Sequence, residues 1–138
     1  MPLRSIKAID YMTLNPVTVT PKTSLFEAID LMITAKVSGA TVLNERKEVV
    51  GVISEIDCLQ AILKGTYHGH LGGNVGQFMT EEVDTLGTDV DILAVAEKLL
   101  KDKRRRIPVV ENGKFVGQYS ARSILKAVTQ FNSESSLA

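Results

Sequence analysis

The sequence predicts an α/β (α+β) fold built from two copies of one strand-helix-strand-strand-helix unit. Three observations carry this. Residues 11 to 65 can be laid on residues 78 to 131 in a single register with one deletion. Each copy alternates short apolar strands with stretches of helical period, and polar or glycine-containing connectors separate them.

The register is set by several anchors. Tyr11-Met12-Thr13 falls on Phe78-Met79-Thr80, Val17-Thr18-Val19 on Asp84-Thr85-Leu86, and Ala40-Thr41-Val42-Leu43 on Ile107-Pro108-Val109-Val110. After a one-residue deletion, Val50-Gly51 meets Val116-Gly117, Ser54 meets Ser120 and Leu59 meets Leu125. Chance rarely preserves that order.

The first strand of each copy is brief, so the helices carry more of the prediction. In the first copy Ser24 suits an N-cap with Glu27 three residues on, and Leu25, Ala28, Ile29 and Met32 trace a buried face. In the second, Asp91 takes the cap position and Ile92, Val95, Ala96 and Leu99 form the stripe; Ala94 stands where Glu27 did, which predicts a slightly weaker cap. Strands at Ala40 to Leu43 and Val49 to Ile53 flank the polar connector Asn44 to Glu48, which suits a hairpin, and Glu111 to Lys114 is its shorter counterpart. The copies are expected at residues 1–65, with an N-terminal lead-in, and 77–131. Residues 66–76 form a glycine-rich linker between them, with Gly65 ending the preceding helix. Residues 132–138, small and polar without periodicity, are expected to be a flexible tail.

Composition narrows the function. Over 138 residues the chain is 44% hydrophobic, and 16 basic residues balance 16 acidic ones. That is enough for a compact core, and it gives no global field for nucleic acid or an anionic membrane. No apolar run approaches the roughly 20 residues of a membrane helix, and the N-terminus lacks a signal-peptide core, so a soluble cytoplasmic protein is expected. Cys58 is the only cysteine, which excludes an internal disulfide and suits a small core residue. His68 and His70 lie in the linker without cysteine or acidic partners nearby, and read as loop histidines rather than metal ligands. There is no nucleophile elbow, zinc-protease motif, phosphate-binding loop or cysteine-histidine pair, so no catalytic residue and no enzyme are predicted.

Two local features carry chemistry. In GVISEID, residues 51 to 57, a strand runs into a helix. Ser54 and Asp57 are spaced for a capping box, but Asp57 is equally a carboxylate at a strand end, available to a ligand. KDKRRR, residues 101 to 106, is the strongest charge cluster, and Lys101 and Lys103 fit a solvated helix end. It lacks the interleaved aromatics of a nucleic-acid surface.

The order of these motifs resembles tandem cystathionine beta-synthase (CBS) domains, the pair called a Bateman module. That family's pattern is a hydrophobic residue, Gly, two mostly hydrophobic positions, Ser or Thr, two variable positions and Asp or Asn, following a strand that often contains Pro-Val. Val50 with GVISEID fits it throughout; GQYSARS, residues 117 to 123, keeps Gly117 and Ser120 but ends in Ser123. RIPVV carries Pro108, where the first copy has Thr41.

The resemblance implies a pseudo-twofold pair of repeats with two clefts between them that accept adenosine-containing ligands: AMP, ADP or ATP first, S-adenosylmethionine or NAD behind them, with no required cofactor. It places Thr18, Val19, Ser38, Gly39, Ala40, Ile53, Ser54, Asp57, Arg105, Arg106, Pro108, Ser120 and Arg122 around such a ligand. Adenine packs on Val19, Ala40 and Ile53. Asp57 takes the ribose hydroxyls in preference to acting as a second cap, since a carboxylate offers two acceptors for two donors. Arg105, Arg106 and Arg122 reach the phosphate, and Ser123 marks a second ribose site weakened or lost. The expected function is a non-catalytic sensor, a homodimer that signals to a separate enzyme or transporter. The alternative is a ligand-free structural dimerisation module.

Overall fold

The computed structural model describes residues 2–69 and 71–137. The chain forms two compact units, Pro16–Val83 and Met1–Asn15 with Asp84–Ala138. Its secondary structure is mixed α/β, with two small sheets.

The Pro16–Val83 unit contains β1 (Thr18–Val19), α1 (Leu25–Ala35), β2 (Gly39–Leu43), β3 (Val49–Ser54), α2 (Glu55–His68) and the single turn α3 (Val75–Phe78). Its sheet runs β1-β2-β3, with β1 parallel and β3 antiparallel to β2. Ser24 caps α1 by accepting the Glu27 amide at 3.1 Å. Leu25, Ala28 and Met32 of that helix join Val19, Ala40, Val42, Ile53, Cys58, Ala61 and Val75 in one apolar core, with Ile29 packed at its edge. In the β2–β3 turn, the Asn44 carboxamide oxygen accepts the Arg46 and Glu48 amides, so the polar connector is closed by its own side-chain hydrogen bonds.

The other unit contains α4 (Ile92–Lys101), β4 (Arg106–Glu111), β5 (Lys114–Ser120) and α5 (Ala121–Leu137), preceded by 3-10 turns at Pro2–Ser5 and Ala8–Tyr11. Asp91 caps α4 through the Ala94 amide at 2.8 Å. Ile92, Val95 and Leu99 pack with Ala8, Ile107, Val109, Tyr119, Ile124 and Ala127. Tyr119 is fully buried, and its hydroxyl donates to the Gly87 carbonyl at 2.8 Å, which satisfies the one polar atom it takes into the core.

The compact units are not the sequence copies, because each takes its lead-in from the other copy. Met12 and Thr13 lie on β5, where Thr13 and Gln118 exchange backbone hydrogen bonds of 2.9 and 3.1 Å. Met79 and Thr80 lie on β3, where Thr80 and Val52 do the same at 2.8 and 3.0 Å. Glycine makes this approach possible. A Cβ at Gly51 would stand 2.8 Å from both Met79 Sδ and the Thr80 carbonyl, and one at Gly117 would stand 2.7 Å from Met12 Sδ and the Thr13 carbonyl.

Three local expectations need correction. Gly65 does not end its helix: α2 continues to His68 and closes on Gly69, whose φ of +74° supplies the left-handed residue, while a glycine inside a packed helix costs only about 1 kcal/mol. The expected linker 66–76 is therefore helical at both ends, with α3 starting at Val75; His70 lies outside the described residues. The expected tail is also helical, since α5 runs on to Leu137 from a segment anchored by Ile124 and Ala127 and needs no new nucleus to propagate.

The second copy has no full counterpart of β1. Only Leu86 bridges Val109, its amide donating to the Pro108 carbonyl at 3.0 Å and its carbonyl accepting the Val110 amide at 2.9 Å. The next bridge in that phase, equivalent to Thr18↔Thr41, would need an N–H at residue 108, which proline lacks.

Candidate functional site

The junction between β3 and α2 is built by strand register. Gly39 pairs with Ser54 and Ala40 with Ile53, so the start of β2 lies beside the end of β3, and the Glu55 amide donates back to the Ser38 carbonyl at 2.9 Å. On the far side of β2, Thr18 and Val19 pair with Thr41 and Val42. Thr18, Val19, Ser38, Gly39, Ala40, Ile53, Ser54 and Asp57 thus belong to one unit, and the pairing brings Ser38, Gly39 and Ala40 up against Ser54 and its helix start.

Ser54 and Asp57 form a complete capping box. Ser54 Oγ accepts the Asp57 amide at 3.1 Å, and Asp57 Oδ2 accepts the Ser54 amide at 2.9 Å. Asp57 thus makes the second cap that the sequence reading ranks behind ribose binding. The cap uses one oxygen, however, and Oδ1 of this half-buried carboxylate carries no hydrogen bond among the described residues. Val19, Ala40 and Ile53 are at most 5% exposed within the core, so their side chains leave little surface for an adenine; what their strands can offer is backbone. Behind the box, Cys58 is buried, and burial first, then the charges of Asp57 and Glu55, push its thiol above the ordinary value, which keeps it unreactive.

The equivalent junction in the other unit repeats the frame with different chemistry. Arg106 pairs with Ser120, Pro108 with Gln118, and the Ala121 amide donates to the Arg105 carbonyl at 2.9 Å, as Glu55 does to Ser38. Ser120 Oγ accepts the Ser123 amide at 3.1 Å and Ser123 Oγ accepts the Ser120 amide at 3.2 Å. Ser123 therefore reproduces the cap, but its hydroxyl also donates to the Ser120 carbonyl at 2.9 Å, and it has no second oxygen to offer. Arg105 and Arg122 are exposed and make no ion pair among the described residues; Pro108 is buried and Arg106 half-buried. No group of three or more potential metal-binding side chains occurs among the described residues, and none of their helices is long and apolar enough to cross a membrane.

Sequence reasoning missed two features. One is the exchange of lead-ins, whose signal was the Met-Thr pair repeated as Met12-Thr13 and Met79-Thr80. The other is an ion cluster of Asp84, Lys98 and Asp102, which has no equivalent in the first copy.

The chain resembles several known proteins. The crystal structure of CBSX2 in complex with AMP, a protein of Arabidopsis thaliana, is 30% identical, superimposes with a TM-score of 0.82, and is matched over 92% of this chain and 98% of its own. The CBS domain pair of protein MJ0100, solved with 5'-methylthioadenosine and S-adenosyl-L-methionine, shares the fold at a TM-score of 0.76 and 22% identity, over 90% of this chain and 96% of its own. Inosine-5'-monophosphate dehydrogenase of Aquifex aeolicus is 33% identical over 117 residues, 83% of this chain but 23% of that enzyme. The chain spans between 23% and 64% of the length of this enzyme and of two other curated relatives. The CBS domain model matches twice, over residues 6–64 and 75–130. Two matched copies, each with the glycine-backed junction between strand and capped helix, make this chain a member of the CBS-domain family, as a tandem pair.

Proposed function

We propose that the chain is a non-catalytic regulatory module that binds an adenosine-containing ligand and passes its bound state to a separate enzyme or transporter. One observation carries this reading: Asp57 is fixed in place by its cap through Oδ2 while Oδ1 remains available. A preorganised carboxylate oxygen suits ribose hydroxyl donors, and little ordering entropy is lost on binding. The 30% identical CBSX2, solved with AMP, supports an adenylate as the ligand. AMP, ADP and ATP come first, ahead of S-adenosylmethionine and NAD. Arg105, Arg106 and Arg122 are the phosphate partners on the family resemblance, and the exposure of Arg105 and Arg122 suits that role. Ser123, with its hydroxyl already engaged, leaves one ribose site per chain.

A thermal-shift panel of these nucleotides is the test, followed by calorimetric counting of sites. A ligand that binds only the folded chain at 100 times its Kd raises stability by about 2.7 kcal/mol. A rise with AMP, ADP or ATP at one site per chain supports the reading, whereas a flat response to every ligand overturns it.

The second reading, a structural dimerisation module, has its own observation. Ile56, Leu59, Leu63 and Tyr67 are all exposed on α2, at the spacing of one helix face. A homodimer that covers this face is compatible with both readings.

A further inference from the structure

Pro108 takes one backbone bridge from the second copy. In the first copy β1 is bonded to β2 at both Thr18 and Val19, whereas in the second copy only Leu86 is bonded to β4. The lost bridge is the one next to Asp84, the first residue of the chain to enter this unit after Val83. At that residue the Asp84 side chain reaches α4: its Oδ2 accepts from Lys98 Nζ at 3.0 Å. The same Nζ lies 3.0 Å from Oδ2 of Asp102, one turn on. That Asp102 oxygen is buried and makes no aligned hydrogen bond among the described residues, so the Lys98 charge is its compensation.

The duplication supplies the comparison. Asp84, Lys98 and Asp102 fall in register on Val17, Leu31 and Ala35, so an ionic trio in one copy stands where the other has an apolar one. We infer that Asp84, Lys98 and Asp102 form an ionic latch that replaces the backbone pairing lost to Pro108, and that makes the entry of the chain into this unit responsive to ionic strength and to neutralisation of Lys98. Asp84 has a 61% exposed side chain, so solvent ions reach it, while Lys98 at 27% and Asp102 at 20% are more sheltered. Lys98 thus holds the strand start to α4 through its more accessible partner, and salt competes first at Asp84. The equivalent entry at Val17 has no charge to screen.

The test is residue-resolved amide exchange at Leu86 and Val110, with Val19 as the control in the other unit. Asp84→Ala should accelerate exchange at Leu86 and Val110 about two- to fivefold and leave Val19 unchanged. In the unsubstituted chain, roughly 1 M salt should bring Leu86 close to the Asp84→Ala rate, and it should have no further effect on that variant. Asp84→Val combined with Lys98→Leu and Asp102→Ala, the residues of the first copy, should fold and lose the salt response, since apolar replacement of a sheltered ion cluster is tolerated. The inference is overturned if Leu86 exchange is unmoved by Asp84→Ala, if Val19 accelerates equally, or if the triple variant keeps the salt response.

Discussion

At Asp57 one carboxylate oxygen closes the helix and the other has no partner among the described residues, so a single substitution separates the two roles. Asparagine keeps an acceptor for the Ser54 amide but removes the charge. Asp57→Asn should lower apo stability by no more than about 1 kcal/mol, the scale of a cap, and weaken AMP by roughly 10- to 150-fold, the loss of charge-assisted bonds worth about 1.5 to 3 kcal/mol. Measuring melting temperature and affinity on the same variant decides it: unchanged affinity alongside lower apo stability would reduce Asp57 to its cap. Gly51 is a residue of another kind, because what it contributes is the absence of a side chain. Gly51→Ala puts a Cβ 2.8 Å from the Thr80 carbonyl, which is held by Val52 and cannot swing aside as Met79 can. The denaturation midpoint should fall by the equivalent of about 1 to 3 kcal/mol. Gly87→Ala, whose Cβ meets nothing within 4 Å, should be close to neutral and serves as the control.

Among the elements, α1 and α4 are capped at equivalent positions, by Ser24 and Asp91, and bury stripes at equivalent positions, but differ in what they hold at their C-terminal halves. Lys98 on α4 stands where α1 has Leu31, and its ion pairs bring a pH dependence to this unit. Hydrogen bonding from Lys98, then the Lys98 charge, with smaller contributions from Asp102 and Arg104, hold the Asp84 carboxyl below its usual 3.8. Asp84 and then Asp102 hold Lys98 above its usual 10.5. A lowered carboxyl contributes stability at pH above 3.8 that disappears as pH falls through the lowered value. A raised ammonium contributes stability below 10.5 that disappears as pH rises through the raised value. The difference in melting temperature between the unsubstituted chain and Asp84→Ala should therefore be flat from roughly pH 5 to 9 and should close on acidification below about pH 4. A difference that grows on acidification would contradict this sign.

For the whole molecule, the proposed homodimer makes the exposed face of α2 the place to intervene. Leu63 is 57% exposed and belongs to neither core, so Leu63→Glu should leave the fold intact. In sedimentation experiments at micromolar concentration it should shift a dimer to monomer, since a charge buried without a partner in an interface is strongly unfavourable. An unsubstituted chain that sediments as a monomer throughout would remove the dimer from both functional readings.

The sequence by itself determined the duplication, the helices at α1 and α4 with their caps, and the β2–β3 and β4–β5 hairpins. These rest on local physics: Ser24 and Asp91 reach amides three residues away, and the buried stripes follow from a 3.6-residue period. The residues of the candidate junction were legible for the same reason, as Ser54 and Asp57 are neighbours along the chain. What tertiary structure decided lies between residues far apart in sequence. That Met79 closes on Gly51 and Met12 on Gly117 depends on which sheet each lead-in joins, and the repeat register alone is equally compatible with either. That Asp57 uses one oxygen among the described residues, and that Asp84 bonds to Lys98, are outcomes of competition among nearby partners, which become defined only when the strands are in place.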